Sequence, residues 1–130
     1  MEGYSVKIVN SSRQLTAKER ISMKNFDSAI ALDDLIPDDG TGTKEILKIV
    51  DFVVCEVHNE KSDNKDYTKF ILIAEDGQKY ITGSQPLFDS FMSIYDEMLD
   101  AEDDEEWSIA VYRRESNNFK GKTFLTCEIV

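Results

Sequence analysis

At 130 residues the chain has the length of a single domain and is long enough to bury a core without disulfide or metal staples. Its 41% hydrophobic and 10% aromatic content excludes a disordered chain, and its formal charge of −11 disfavours non-specific attraction to DNA or anionic lipid. The N-terminal segment lacks the apolar core of a signal peptide and no apolar run is long enough to span a bilayer, so a soluble cytoplasmic protein is expected.

Residues 4–9 (YSVKIV) alternate Tyr4, Val6 and Ile8 with Ser5, Lys7 and Val9, a strand pattern. Thr16 and Glu19 then stand at capping-box spacing and predict a short helix to about Lys24, although Leu15, Ile21 and Met23 are its only sizeable apolar residues. Residues 28–36 (SAIALDDLI) suit a strand or one helical turn, and 37–42 (PDDGTG) form a loop. The acids and glycines of that loop lack EF-hand spacing, so turn chemistry accounts for them without a metal.

Residues 46–57 (ILKIVDFVVCEV) are the longest apolar stretch and too β-branched for a helix. They read as one long, bent central strand, with Ile49, Val53, Cys55 and Val57 on one side and Val50, Phe52 and Val54 on the other. A polar loop (59–66), a strand (67–74), a tight turn carrying the Asp76-Gly77 hairpin signal, and a returning strand (79–82) complete an antiparallel meander. His58 is the only histidine; beside a turn and with no second catalytic group evident, it reads as structural or solvated. Cys55 and Cys127 lie inside apolar runs and form no CxxC pair, which predicts buried thiols in a reducing compartment rather than a zinc site.

Pro86 sits where a first helical residue belongs, and Leu87, Phe88, Phe91, Tyr95, Met98 and Leu99 recur at helical spacing. Residues 87–99 are therefore the principal helix, its apolar stripe packed in the core. Eight acids in the eleven residues 96–106 follow, as a solvated link or as an acidic surface for a basic partner. The terminal hairpin pairs 107–112 with 123–130. Five or six antiparallel strands with one inserted helix predict a mainly antiparallel β, α+β domain covering 1–130, with an OB-like small barrel as the specific form.

Enzyme signatures are missing: the sequence has no Walker A loop, GxGxxG, GxSxG or HExxH, and one histidine with two buried thiols assembles no nucleophile and base. A non-enzymatic protein without cofactor or metal is expected. Charge is unevenly spread. Residues 1–24 carry five cations against two acids, 113–130 four against two, and 25–112 six against 22. With a Debye length of about 8 Å, a basic surface can operate on an acidic protein whose acids face elsewhere.

The terminal hairpin concentrates the chemistry. Arg113, Arg114, Lys120 and Lys122 interleave with Tyr112, Phe119 and Phe124, the mixture that phosphates and bases of a single strand require. If Ile109, Val111, Leu125, Cys127 and Ile129 point inward, with Trp107 before them, then Tyr112, Arg114, Phe124, Thr126 and Glu128 share the outer face; the alternative is that Tyr112 and Phe124 pack under the helix of residues 87–99. Those seven hairpin residues, with Lys7 and Arg13 from the basic N-terminal segment, are the candidate nucleic-acid contacts. The other reading is an acidic inhibitor that uses the −16 of the middle segment to occupy a basic, nucleic-acid-binding surface of a host protein.

The stretches SSRQLTAKERI, VHNEKSDNKDYTKFILIAEDGQKYITGS and YRRESNNFKGKTFLTCEIV resemble small single-stranded-DNA-binding proteins of phages infecting Gram-positive bacteria, over most of the chain. The resemblance implies an OB-like protein that coats single strands in phage replication or recombination, needs no cofactor, acts in the host cytoplasm and meets replication or recombination proteins. The oligomeric state stays open, a homo-oligomer included. Single-stranded-DNA-binding proteins often recruit partners through a terminal acidic tail; here the chain ends in a strand and its acidic run is internal.

Overall fold

The longest apolar run of the sequence does not make one strand. In the computed structural model, which describes residues 3–37, 42–61, 65–100, 106–115 and 123–130, it breaks at Lys48 into β3 (Glu45–Leu47) and β4 (Ile49–Asn59), which belong to different sheets. The fold is α+β and mostly strand, with one long helix. Its residues gather into two compact units, Met1–Leu32 with Ile49–Gly83 and Asp33–Lys48 with Ser84–Val130. The described strands pair as two open sheets, not as one closed barrel.

The first unit is built on five strands: β1 (Tyr4–Ser11), β4, β5 (Asp66–Ala74), β6 (Lys79–Thr82) and the two-residue β2 (Ile30–Ala31), in the order β1-β4-β5-β6-β2. The meander β4-β5-β6 is antiparallel as expected, and β2 adds in parallel to β6. Gly77 takes φ +91° at the β5–β6 turn, a conformation that L side chains resist. Val6, Ile8, Val53, Cys55, Ile71, Ile73 and Ile81 form one apolar face, covered by Leu15 and Met23.

The helix α1 (Ala17–Lys24) that brings Met23 there starts as the sequence suggests. Thr16 accepts from the Glu19 amide and the Glu19 carboxylate accepts from the Thr16 amide, satisfying two otherwise orphaned donors. Lys79 fastens its far end by donating to the Ser22 carbonyl at 2.8 Å.

Two bulges alter the expected alternation. One lies at Val9 in β1 and one at Val50 in β4. The second shifts Ile49 opposite Ala74, onto the face of Phe52 and Val54 instead of that of Val53, because one inserted residue inverts which side each neighbour occupies.

The second unit holds the sheet β3-β7-β8, with β7 (Ile109–Glu115) and β8 (Thr123–Ile129) forming the terminal hairpin. The helix α3 (Gln85–Asp100) lies on β8; Ser90 and Thr126 share a hydrogen bond of 3.0 Å, and the Cys127 thiol donates to the Leu87 carbonyl. Pro86 is the second helical residue, not the first, and Ser84 accepts from the Leu87 amide ahead of it. The stripe is buried at Leu87, Phe88 and Phe91 but ends early: Leu99 is 70% exposed. Ile129, expected inside, is likewise half exposed next to the chain end. A single helical turn, α2 (Leu32–Leu35), satisfies the helical alternative for 28–36, while β2 satisfies the strand alternative. No helix among the described residues is long and apolar enough to cross a membrane.

Candidate nucleic-acid interface

The register of the terminal hairpin decides which of its side chains can meet a ligand together. Arg114 pairs with Phe124, Tyr112 with Thr126 and Ala110 with Glu128, so these six share one face of the three-stranded sheet. The alternate set, Ile109, Val111, Leu125 and Cys127, is buried as expected. Thr126 is occupied by Ser90 of α3 and buried, whereas Tyr112 and Phe124 stay half-buried and Arg114 exposed. Tyr112 and Phe124 stand on the diagonal of adjacent pairs, where long aromatic side chains come within reach of each other.

Lys44, which sequence reasoning passed over, completes this face. It precedes β3, whose Glu45 pairs with Val111, and so stands beside Tyr112. Its ammonium lies 4.6 Å from the centre of the Tyr112 ring and 2.7 Å from Glu128 Oε1. The Glu128 carboxylate raises the Lys44 pKa through that hydrogen bond. The available signal was the alternation of Lys44 with Ile46, but the partner strand lies far along the chain and only the fold supplies it.

The other expected contacts divide. Arg113 points to the opposite face of the hairpin from Arg114, and its side chain is 18% exposed. Its Nε donates to the Ile36 carbonyl at 2.7 Å and its terminal nitrogens reach the Asp33 carbonyl and the Thr123 hydroxyl, so it closes the C-terminal end of α2. Phe119, Lys120 and Lys122 lie outside the described residues.

Arg13 and Lys7 belong to the first unit. Arg13 is held between Glu19 and Asp51, with Nε 3.1 Å from Asp51 Oδ2. The Arg13 guanidinium, aided by the Thr16 amide, depresses the Glu19 pKa to about 2. Lys7 stands opposite Glu56 on the exposed face of β1 and β4.

That face carries a shallow groove of about 440 Å³ lined by Ser5, Lys7, Glu56, His58, Asp66 and Thr68 among others. His58 is better partnered than its position in the sequence suggests. Nδ1 lies 2.7 Å from Asp66 and Nε2 2.6 Å from Glu60, whose other oxygen meets Lys65. Ionised carboxylates can only accept, so this arrangement favours the protonated ring, which donates from both nitrogens. Hydrogen bonds to Asp66 and then to Glu60 raise its pKa accordingly. A histidine clasped between two carboxylates is an ion-pair arrangement, with Lys65 on the outer oxygen of Glu60, and not a nucleophile with its base.

Both cysteines are buried free thiols, and burial pushes Cys55 up to about 11 and Cys127 up to about 12, far from the range of a reactive thiolate. No group of three or more metal-ligating side chains converges among the described residues. No protein-family model, curated protein or solved structure matches the chain.

Proposed function

We propose that the protein binds single-stranded DNA with little sequence preference through the Tyr112–Arg114–Phe124 face of its terminal hairpin. The two rings stack on bases, while Arg114 and Lys44 meet phosphates. The observation that carries this reading is the β7–β8 register, which groups the two half-exposed aromatics with an exposed arginine and the Lys44 ammonium on one side. Stacking tolerates any base because every base offers a π-face, and it does not depend on net charge. An acidic chain can therefore use it.

The sequence resemblance to phage single-stranded-DNA-binding proteins points to the same ligand, and to coating of exposed strands in replication or recombination as the setting. OB-like barrels present rings on a strand face in this way; the reading needs only the three-stranded sheet and not barrel closure.

Titration of a fluorescently labelled oligo-dT at two salt concentrations tests the proposal. Each stacked base contributes about 1–3 kcal/mol, so Tyr112→Ala and Phe124→Ala should each weaken binding about 10-fold or more. Absence of binding at low salt, or unchanged affinity in both folded variants, would overturn it.

One observation favours the second reading, an acidic inhibitor of a basic host protein. Arg13, Lys44, Lys48, Lys65 and Arg113 each stand beside a carboxylate of the chain itself, which leaves the acidic excess for an outside partner. That reading expects no affinity for oligo-dT and a salt-sensitive complex recovered from host lysate, displaced by competitor DNA.

A further inference from the structure

We propose that Glu128 is an internal stand-in for a DNA phosphate, occupying Lys44 over the Tyr112 ring until a single strand displaces it. The inference rests on the single-stranded-DNA reading and concerns the threshold of that same face. Lys44 and Glu128 stand on opposite sides of β7, on the β3 and β8 flanks respectively. The lysine side chain therefore crosses the central strand to reach the carboxylate, and Tyr112 lies beneath it. Its ammonium ends 2.7 Å from Glu128 Oε1 and 4.6 Å from the ring centre. A cation held there both shields one face of the aromatic ring and is itself neutralised.

The pair is built to exchange. The side chains of Lys44 and Glu128 are 52% and 50% exposed, and neither makes a second ion pair among the described residues. Such solvated pairs are weak, so a phosphate that offers the same charge-assisted acceptor can replace the carboxylate at small cost. Replacement frees the ring for a base and places the ammonium on the phosphate beside it. Both contacts of the proposed interface then form in one step. Glu128 thus weakens binding to isolated phosphates and favours ligands that supply a phosphate and a base together.

Glu128→Gln keeps the shape and removes the charge. It should tighten oligo-dT binding about two- to fivefold, the range that an exposed ion pair represents, and lower the thermal midpoint by no more than about a few degrees. A general loss of negative field would produce some of that gain, and a double-mutant cycle with Lys44→Ala separates the two. In the Lys44→Ala background the Glu128→Gln gain should vanish if the carboxylate acts by competing for Lys44.

Wild-type binding with no gain in Glu128→Gln, or a gain of equal size without Lys44, overturns the inference and leaves the DNA reading standing. Failure of both wild type and Glu128→Gln to bind oligo-dT at low salt overturns both.

Discussion

Arg113 and Arg114 are neighbours in sequence with opposite fates, and exchanging each for alanine should separate fold from binding. Arg113 donates one short bond from a cation to the Ile36 carbonyl, at 2.7 Å, from a side chain only 18% exposed. A hydrogen bond of this charged kind contributes about 1.5–3 kcal/mol, and its loss strands a carbonyl at the end of α2. The longer approaches, 3.4 Å to the Asp33 carbonyl and 3.5 Å to Thr123, add little, as does the 4.0 Å pair with the exposed Asp33 carboxylate.

Arg113→Ala should therefore cost about 2 kcal/mol, or about 1 M in urea midpoint at a typical slope for a small protein. Trp107, in the same unit and 6.5 Å edge-on from Tyr95, reports the transition by fluorescence. Arg114 is exposed and makes no ion pair among the described residues, so Arg114→Ala should stay within about 0.5 kcal/mol of wild type. The same variant should lose oligo-dT affinity and reduce the salt slope by about 0.7, the value for one phosphate on a single strand. A wild-type urea midpoint for Arg113→Ala, or a larger stability loss in Arg114→Ala, would refute the assignment.

His58 should titrate above its ordinary 6.5, read from its ring proton in NMR; stability from its bonds is complete below 6.5 and lost as pH rises through the folded midpoint. Asp66→Asn should lower that midpoint, with Glu60, Lys65 and Lys7 left to set the remainder; an unchanged midpoint would contradict the double clasp. Glu19, depressed to about 2 from 4.5, contributes stability that is present above 4.5 and lost as pH falls through its folded value. Thermal midpoints of wild type and Glu19→Gln should thus differ most at neutral pH and converge near the acid end; parallel curves throughout would count against the Arg13 clasp. Phe91→Ala removes a fully buried ring packed at a tilt between Phe88 and Tyr95 and should cost about 3–5 kcal/mol by urea unfolding; a loss below about 1 kcal/mol would contradict its place in the core.

What the sequence made legible was local. The capping box at Thr16 and Glu19, the Asp76-Gly77 turn and the Phe88–Phe91–Tyr95 spacing each depend on residues within a few positions, and each element formed where that chemistry required. The hairpin alternation held at Ile109, Val111, Leu125 and Cys127, because a β-ladder sorts side chains by parity, while Thr126 under α3 and Ile129 at the chain end depart from it. The break at Lys48 was not legible, since β-branched apolar residues continue on both sides of it and the division depends on which sheet each half joins. Parity over residues 49–57 failed at Val50 for the same reason: a bulge changes the count without changing the composition.

Which of the basic candidates already have partners within the chain, as Arg13 and Arg113 do, was not legible for a different physical reason. Composition counts cations, but availability depends on partners brought from far along the chain. Ile36 is 77 positions from Arg113, and Glu128 is 84 from Lys44.

That distinction bears on how a chain with a charge of −11 can hold a polyanion at all. If cations were the main source of affinity, the self-paired arginines and lysines would leave too little. On the proposed face the described cations are Arg114 and Lys44; Lys120 and Lys122 lie outside the described residues, and counting them as well sets an upper bound of four. Four phosphate contacts bound the single-strand salt slope at about −3, shallow beside the slopes of basic DNA-binding proteins. Stacking on Tyr112 and Phe124 must then supply the rest, and it survives salt. A measured slope no steeper than about −3, with affinity lost mainly in the ring variants, is the signature expected of this face. An acidic inhibitor predicts the reverse dependence: no oligonucleotide binding, and a protein complex whose affinity collapses as its ion pairs are screened.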